Sequence, residues 1–362
     1  MSTAEECPRP GGPSPAPPPA PKGRFRLRVV TRAGLIRLAC LFALGGLLSL
    51  WGYGCMIGMP GKSHSGPLPP MSAAEAAMAA SIRRDVNELA GRIGIRTAFD
   101  GDLAKAADYV ESRFRESKYA VSRQAFTALG RPCVNLEAEI PGAAAPGEIV
   151  VVGAHYDSVA GCPGANDNAT GVAGVLVLAA ALAGSRPDRT VRFVAFANEE
   201  PPFFQTDGMG SRVYARRCRE RKENVVAMLS LETIGWFSDE RGSQKYPPPL
   251  SLFYPGRGDF IAFVGNLSSR KLVRRAVGAF RAGARFPSEG GAFPAFLPGI
   301  GWSDHWAFWQ EGYPALMVTD TAPFRYPHYH LPKDTPDKVD AGRCARVVAG
   351  LEKVVRDLAG AR

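Results

Sequence analysis

Acidic and histidine side chains follow several apolar segments of this sequence, at the point where each segment ends. His155 and Asp157 come directly after VVVGA, Glu199 and Glu200 follow TVRFVAFAN, and Glu232 follows AMLSL. Such apolar runs are typical of buried strands, and α/β sheets build their sites where the carboxyl ends of strands meet. We therefore expect these five side chains to lie close together.

A metal ion is the simplest means of stabilising such a cluster. Glu199 and Glu200 are adjacent carboxylates at the end of a buried strand, where they repel each other and lose hydration, and a nearby cation would offset both effects. A zinc-bound imidazole needs its second ring nitrogen held, and Asp157, two residues after His155 on the same face of an extended chain, could hold it. The alternative is that His155 and Asp157 form an ordinary structural pair.

Two further segments carry residues that bind metals. Asp167 lies in GANDNATG (164–171), a glycine-bounded turn that opens an apolar helix, and a helix N-terminus favours a carboxylate. Taken by itself, this aspartate is more simply explained as an ordinary helix cap or Asx-turn. PHYHLPKDTPD (327–337) brings His328 and His330 just after the last predicted strand.

The elements that must position these residues alternate along the chain. Apolar runs predict strands in EIVVVGAHYDS, at 190–197, 224–232 and 314–320, and in the pair LSLFYP and FIAFVG. Helices are predicted from the capping-box pair Ser72 and Glu75 to about Gly91, over Gly171–Gly184, and at 268–284 and 338–360. Strands alternating with helices indicate an α/β domain with a mostly parallel, buried sheet.

The N-terminal region predicts export of this domain. Residues 7–21 are rich in proline and glycine and indicate a disordered tail, whereas residues 38–59 carry no charge and would reach about 33 Å as a helix, enough to span a bilayer. The basic residues from Arg24 to Arg37 place the tail in the cytoplasm and the rest outside. An uncleaved signal-anchor, a cleaved signal peptide and a lipoprotein modified at Cys55 all remain open.

The resulting domain organisation has four parts. Residues 1–32 form a basic cytoplasmic tail, 33–59 a transmembrane signal-anchor, 60–72 a linker, and 73–362 the globular domain. The globular domain is thus expected to be membrane-anchored and outside the cytoplasm, in the periplasm or the extracellular space.

The net charge of +10 does not predict a nucleic-acid partner. Seven Lys/Arg and two Glu in the first 37 residues contribute +5, so the remaining 325 residues contribute only +5, whereas nucleic-acid binders concentrate basic residues on the folded part. Seven cysteines show no CxxC pair. A disulfide among Cys133, Cys162, Cys218 and Cys344 and buried free thiols are both open. The sequence does not indicate an oligomeric state.

Six motifs, in order, carry a family resemblance. The strings GAHYDS, GANDNATGVAG, NEE, SLETIGW, SDHWAFW and YHLPKDTPDKVD resemble the signature set of the co-catalytic di-zinc aminopeptidases, which include bacterial leucyl aminopeptidases and have glutamate carboxypeptidases and glutaminyl cyclases as relatives. The resemblance covers about residues 73–360. It implies a three-layer zinc-exopeptidase fold, a mostly parallel mixed sheet with helices on both faces, two Zn²⁺ ions per chain and peptide substrates.

The resemblance also implies a set of metal ligands. Asp167 would bridge the two zinc ions, His155 and Glu232 would complete the first site, and Glu200 and His330 would complete the second. The family usually has aspartate at position 232, but glutamate remains a competent oxygen ligand.

Catalytic roles follow from the same resemblance. Glu199 would be the general base, Asp157 would orient a ligand histidine, and the hydroxyl of Tyr329 could polarise the substrate carbonyl. Asp304, in SDHWAFW, would contact the metal ligands without binding metal itself.

Three points concern the cleft and the choice of reaction. The insertion PPFFQTD after Glu200 predicts an aromatic rim to the cleft. The pocket is expected to draw on the following aromatic residues: Phe203, Phe204, Trp236, Phe253 and Trp302. A single-zinc glutaminyl cyclase and a non-catalytic, receptor-like ectodomain are the alternatives to an aminopeptidase.

Overall fold

The computed structural model describes residue 16, residues 31–99 and residues 101–361. Most of the predicted disordered tail therefore lies outside the described residues. The chain divides into two compact units after Leu50. A 25-residue helix, α1 (Arg32–Met56), contains no buried side chain. Its length and mean hydropathy of 2.0 fit a membrane span, and they equally fit a signal sequence near the N-terminus.

The unit Trp51–Arg362 is built on an eight-stranded sheet with the order β1-β2-β4-β3-β5-β8-β6-β7. The four central strands β4, β3, β5 and β8 run parallel to one another. On one side β2 pairs antiparallel with both β1 and β4, and on the other β6 pairs antiparallel with β8 and parallel with β7. The strands are β1 Val121–Ala128, β2 Arg131–Ile140, β3 Ala145–His155, β4 Arg189–Phe196, β5 Asn224–Leu231, β6 Ile261–Asn266, β7 Ser288–Phe293 and β8 Ala315–Thr319.

The helices in the described part of this unit connect the strands or flank the sheet. Ser72 and Glu75 form the predicted capping box at the start of the first of them, with Glu75 Oε2 accepting from the Ser72 amide at 2.7 Å. The helices are α2 Ala73–Val86, α3 Leu103–Glu116, α4 Gly171–Leu182, α5 Gly210–Glu220, α6 Arg270–Gly283, α7 His305–Gln310, α8 Ala322–Arg325 and α9 Ala341–Ala359.

The side chains of β3 show how the layers form. Val150 and Val152 belong to a core that includes residues of α2, α4 and α9, whereas Ile149 and Val151 belong to a separate core with residues of α5 and α7. Successive side chains of a strand point to opposite faces, so a continuous apolar run requires cover on both. The predicted three-layer, mostly parallel α/β fold is confirmed.

One predicted strand is wrong. LSLFYP is not a strand but a loop containing the short 3-10 turn Leu250–Leu252. Three prolines (247–249) precede it, and proline cannot donate to a strand ladder. The antiparallel hairpin β1–β2 and the strand β7 were not predicted, because their residues lack continuous apolar runs. The six cysteines in the described part of the chain are free thiols.

Candidate metal centre

The carboxyl edge of the central strands brings the predicted residues together. His155 is the last residue of β3, and Glu232 follows β5 directly. Glu200 lies four residues after β4, and Asp167 lies in the kinked turn Ala165–Thr170 before α4. His330 reaches the same place from the segment after α8. Four of these five side chains are buried, and the fifth, His330, is partly exposed.

Three side chains form a first group. His155 Nε2 lies 3.1 Å from Glu232 Oε2 and 3.4 Å from Asp167 Oδ1. The Glu232 carboxylate also accepts a hydrogen bond from the Ser303 hydroxyl at 2.7 Å, which fixes its longer side chain. One imidazole and two carboxylates on such close atoms are a ligand set suited to zinc.

A second group shares one member with the first. His330 Nε2 lies 3.1 Å from Asp167 Oδ2 and 3.3 Å from Glu200 Oε2. The two oxygens of Asp167 therefore face different histidines, Oδ1 towards His155 and Oδ2 towards His330. The arrangement has the form of two adjacent cation sites joined by one carboxylate.

Buried atoms without partners test whether these residues suit a metal. Both ring nitrogens of His155, both oxygens of Asp167 and Glu200 Oε1 are buried and lack a hydrogen-bonding partner. Buried polar atoms are almost always paired, and a pair of bound cations would satisfy His155 Nε2 and these carboxylate oxygens, whereas His155 Nδ1 faces Asp157. The residues therefore fit two zinc ions.

The metal-free cluster has strongly displaced pKa values. Burial raises the pKa of Glu200 to about 7, and the charge of Asp167 adds to this effect. Burial lowers the pKa of His330, but its contacts with Asp167 and Glu200 outweigh this and raise the pKa to about 10. Burial also opposes the ionisation of Asp167, yet His155 and His330 hold its pKa well below the usual range. A bound cation would replace the protons that His330 and Glu200 hold.

Glu199 belongs to neither group of ligands. Its carboxylate is buried and lies 3.9 Å from His155 Nε2, and burial raises its pKa well above the ordinary value. Asp157 fixes the backbone here, because its two oxygens accept hydrogen bonds from the amides of Glu199 and Glu200, each at 3.0 Å. Asp157 Oδ1 also lies 3.4 Å from His155 Nδ1. One carboxylate thus touches residues of both strand ends.

The remaining predicted residues surround these groups. Tyr329 stacks on the ring of His330, with centroids 3.9 Å apart, and lines the adjoining pocket. His328 packs edge-on against Tyr326 and is not part of either ligand group among the described residues. Asp304 is fully buried at the start of α7, and burial raises its pKa to about 7.

Asp334 supports the centre, and the sequence did not single it out. It accepts hydrogen bonds from the amides of Asn166 and Asp167 at 2.8 and 3.0 Å and from the hydroxyl of Tyr326 at 2.8 Å. Its position in LPKDTPD, four residues after His330, was the available signal. It ties the turn that carries Asp167 to the segment that carries His330.

Arg96 supports the same turn and gave no signal in the sequence. Its side chain is fully buried and donates to backbone carbonyls, among them Tyr156 at 2.8 Å and Gly164 at 2.9 Å. The connection between His155 and Asp167 is thereby held at both ends. A single arginine in the stretch IGIRTAF (93–99) shows no pattern from which its contacts with these carbonyls could be predicted.

An apolar pocket adjoins the centre, with Glu232 and Tyr329 in its wall. Of the five aromatic residues expected there, Trp302 lines it and the other four do not. Phe203 stacks on Phe99, Trp236 packs against Tyr326, and Phe253 lies on the outer side of the loop. The aromatic lining consists instead of Tyr246, Tyr254, Phe260, Phe293, Trp302, Phe324 and Tyr329.

Known proteins resemble this chain along most of the folded unit. The sequence pattern of peptidase family M28 matches residues 135–355. YfbL of Escherichia coli (strain K12) is 39% identical over 280 residues, which cover 75% of this chain and 85% of YfbL. A probable zinc metalloprotease of Pyrenophora teres f. teres is 31% identical over 212 residues, and the matched part spans 51% of this chain and 41% of that longer protein.

Solved structures share the fold at low identity. An aminopeptidase from Aneurinibacillus sp. strain AM-1 has a TM-score of 0.60 at 18% identity, covering 80% of this chain and 95% of that one. A glutaminyl cyclase from Fimbriiglobus ruber has a TM-score of 0.58 at 20% identity, covering 81% and 98%. The chain belongs to peptidase family M28, as its six motifs predicted.

Proposed function

We propose that this protein is a zinc-dependent aminopeptidase that hydrolyses N-terminal peptide bonds. The observation that carries the proposal is the pair of ligand groups sharing Asp167, with unpartnered buried atoms aimed at both. Membership of a peptidase family and the metalloprotease and aminopeptidase names of similar proteins agree with it. His155, Asp167, Glu200, Glu232 and His330 would hold two Zn²⁺ ions.

The chain's own residues would manage the protons of the reaction. Bound zinc supplies Lewis acidity, which acidifies water and polarises a carbonyl group. Glu199 takes a proton from the attacking water and passes it to the leaving amine. Burial raises the pKa of the Glu199 carboxyl well above its ordinary value, and a raised pKa makes the carboxylate a stronger base. Asp157 holds the backbone of Glu199 in place, and the Tyr329 hydroxyl would polarise the substrate carbonyl.

Substitution of the base tests this assignment. Glu199→Gln keeps the size of the side chain but cannot accept the proton, so kcat should fall about 10²- to 10⁴-fold while zinc content is retained. Hydrolysis of aminoacyl-amides and elemental analysis measure the two quantities. The exposed Glu240→Gln is the matched control and should be fully active. Near-normal activity of the Glu199 variant would refute the role of this residue.

A glutaminyl cyclase is the second candidate, because two solved structures with a similar fold have that activity in their names. It would use a single zinc ion held by Asp167, Glu200 and His330. The group of His155, Asp167 and Glu232 argues against a single-zinc cyclase, because His155 and Glu232 could bind a second ion.

We also propose that α1 anchors the peptidase domain to a membrane. The helix is long and apolar, and the basic residues before it favour a cytoplasmic N-terminus. Residues 73–362 would then act on peptides outside the cytoplasm. The mass of the mature N-terminus distinguishes an anchor from a cleaved signal peptide.

A further inference from the structure

The loop at 247–254, here called the pocket loop, has an inner and an outer side. Pro247, Leu250 and Tyr254 line the apolar pocket, and the Tyr254 hydroxyl donates to the Gly290 carbonyl at 2.9 Å, which holds the loop on β7. At the outer side, Leu252 is 78% exposed and Phe253 is 47% exposed. Two adjacent apolar side chains thus point away from the protein on the back of the pocket wall.

The outer side contacts the last turns of α1. The Phe253 ring lies 6.3 Å from the ring of Tyr53, centroid to centroid. Trp51 and Tyr53 are the residue types that mark the membrane–water boundary of a spanning helix. The pocket loop is therefore next to the chain at the point where the apolar run of α1 meets water.

Arginines of α6 fix the chain at this point. Arg270 donates to the carbonyls of Cys55 and Gly54 at 2.5 and 3.0 Å, and Arg281 donates to Pro60 and Gly61, both at 3.2 Å. A cation in the first turn of a helix opposes that helix's own dipole, but Arg270 there meets the free carbonyls at the end of α1.

The fixed segment extends as far as β7. The Ser63 hydroxyl accepts a hydrogen bond from the Ser288 amide at 2.8 Å, and the Met59 side chain packs on the core. The segment 54–63 is therefore bound along α6 and β7 and is not a free tether. These contacts hold the end of α1, residues 53–56, beside the pocket loop.

We propose that Leu252 and Phe253 rest in the interface of the lipid bilayer that holds α1, so that the pocket lies at the membrane surface. The substrates would be peptide N-termini displayed on that surface, and this part rests on the proposed aminopeptidase function. A bilayer is the occupant because the apolar tip is continuous with the end of the spanning helix. The exposed Lys271, next to Arg270, suits anionic lipid headgroups.

Depth-dependent fluorescence quenching tests the placement without requiring activity. The full chain, with Cys7, Cys40 and Cys55 replaced by serine, carries Leu252→Cys labelled with nitrobenzoxadiazole. It is reconstituted in phosphatidylcholine–phosphatidylglycerol vesicles containing a lipid with a doxyl group high on its acyl chain. The matched control is Leu129→Cys, which is 68% exposed between β1 and β2 at the opposite edge of the sheet.

The placement predicts loss of emission at position 252 and none at position 129. Equal quenching at both positions, or no quenching at either, would overturn it. A mature chain that has been cleaved after Tyr53 would also overturn it, because that chain would have lost α1. Retained zinc content and an unchanged melting temperature show that each labelled chain is folded.

A second experiment tests the substrate class. Leu252→Asp should reduce hydrolysis of a peptide tethered to the vesicles through its C-terminus and leave hydrolysis of the same free peptide unchanged, with Leu129→Asp as control. Equal rates for the variant and the parent chain on the tethered peptide would overturn the claim about substrates. Inactivity of the parent chain on both peptides would refute the aminopeptidase function instead, and the quenching result would stand.

Discussion

At the scale of single residues, the candidate centre contains several carboxylates that lie close together but contact different partners. Each oxygen of Asp167 faces a histidine, whereas both oxygens of Asp157 accept hydrogen bonds from backbone amides. Glu199 and Glu200 are neighbours in sequence, yet only Glu200 approaches His330. Both glutamates are buried, so the partner that each carboxylate faces, more than residue type or burial, distinguishes the proposed ligand Glu200 from the proposed base Glu199.

Asp334 provides a residue-scale prediction. Asp334→Asn would place an amide group where the carboxylate now accepts from two backbone amides and the Tyr326 hydroxyl, so the turn carrying Asp167 should lose its fixed position. Loss of such a supporting contact costs about 10- to 100-fold in metal affinity. Competition with a zinc chelator measures the change. The exposed Asp337→Asn is the control, and equal affinity of the two variants would contradict the supporting role.

The displaced pKa values predict that zinc binding releases protons. Near pH 7 metal-free His330, with its pKa raised to about 10, and part of Glu200, with its pKa raised to about 7, hold protons that zinc must displace. Zinc affinity should therefore fall as the pH is lowered. Calorimetric titration in buffers of different ionisation enthalpy counts the protons, and a heat independent of the buffer would contradict the prediction.

The same shift fixes the sign of the pH dependence of folding without metal. The pKa of His330 is higher in the folded chain than in the unfolded chain, so its protonation stabilises the fold. This contribution is complete below the ordinary histidine pKa of about 6.5 and is lost as the pH rises through about 10.

At the scale of elements, continuous apolar runs made the central strands predictable. The runs before His155 and Glu232 became β3 and β5, because strands covered on both faces need apolar side chains at every position. Edge strands are harder to predict, because fewer of their side chains must be apolar. β1 is largely exposed and carries polar residues, so no pattern separates it from a loop. LSLFYP misled because an apolar segment that lines a pocket resembles a strand in sequence.

The candidate ligands could be found in the sequence because strand ends are marked there, whereas the residues that support them could not. Glu232 and His155 lie where apolar runs end, and the sequence motifs indicated the other candidate ligands. Arg96 and Asp320 act through contacts that form only on folding. Asp320, for example, accepts from the Thr233 hydroxyl at 2.6 Å and from the Trp236 amide at 2.8 Å.

The pocket yields an element-scale prediction about specificity. β6, β7 and the pocket loop enclose an apolar space with Val264 on its wall. Val264→Trp should fill that space and raise KM for substrates with a bulky apolar N-terminal residue, with little change for alanyl substrates. Steady-state kinetics on leucyl and alanyl amides measure the difference, and the alanyl substrate is the internal control. An equal rise for both substrates would place the specificity pocket elsewhere.

At the scale of the whole molecule, charge and hydropathy separate the chain into parts with different tasks. The basic leader and α1 account for half of the net charge and for the longest apolar helix among the described residues, and the unit that follows holds the sheet and the metal centre. The net charge of the whole chain is therefore a poor guide to its partners. Half of it lies in the first 37 residues, and the remaining 325 residues contribute only +5.

The central claim is that one folded chain holds two zinc ions around Asp167. Titration of the metal-free full chain with Zn²⁺, followed by elemental analysis after removal of excess metal, tests it most directly. Our account predicts two equivalents per chain, falling to about one in Glu232→Ala and in Glu200→Ala because each variant removes a ligand from one group only. A single equivalent in the parent chain would contradict the two-metal account and favour the cyclase.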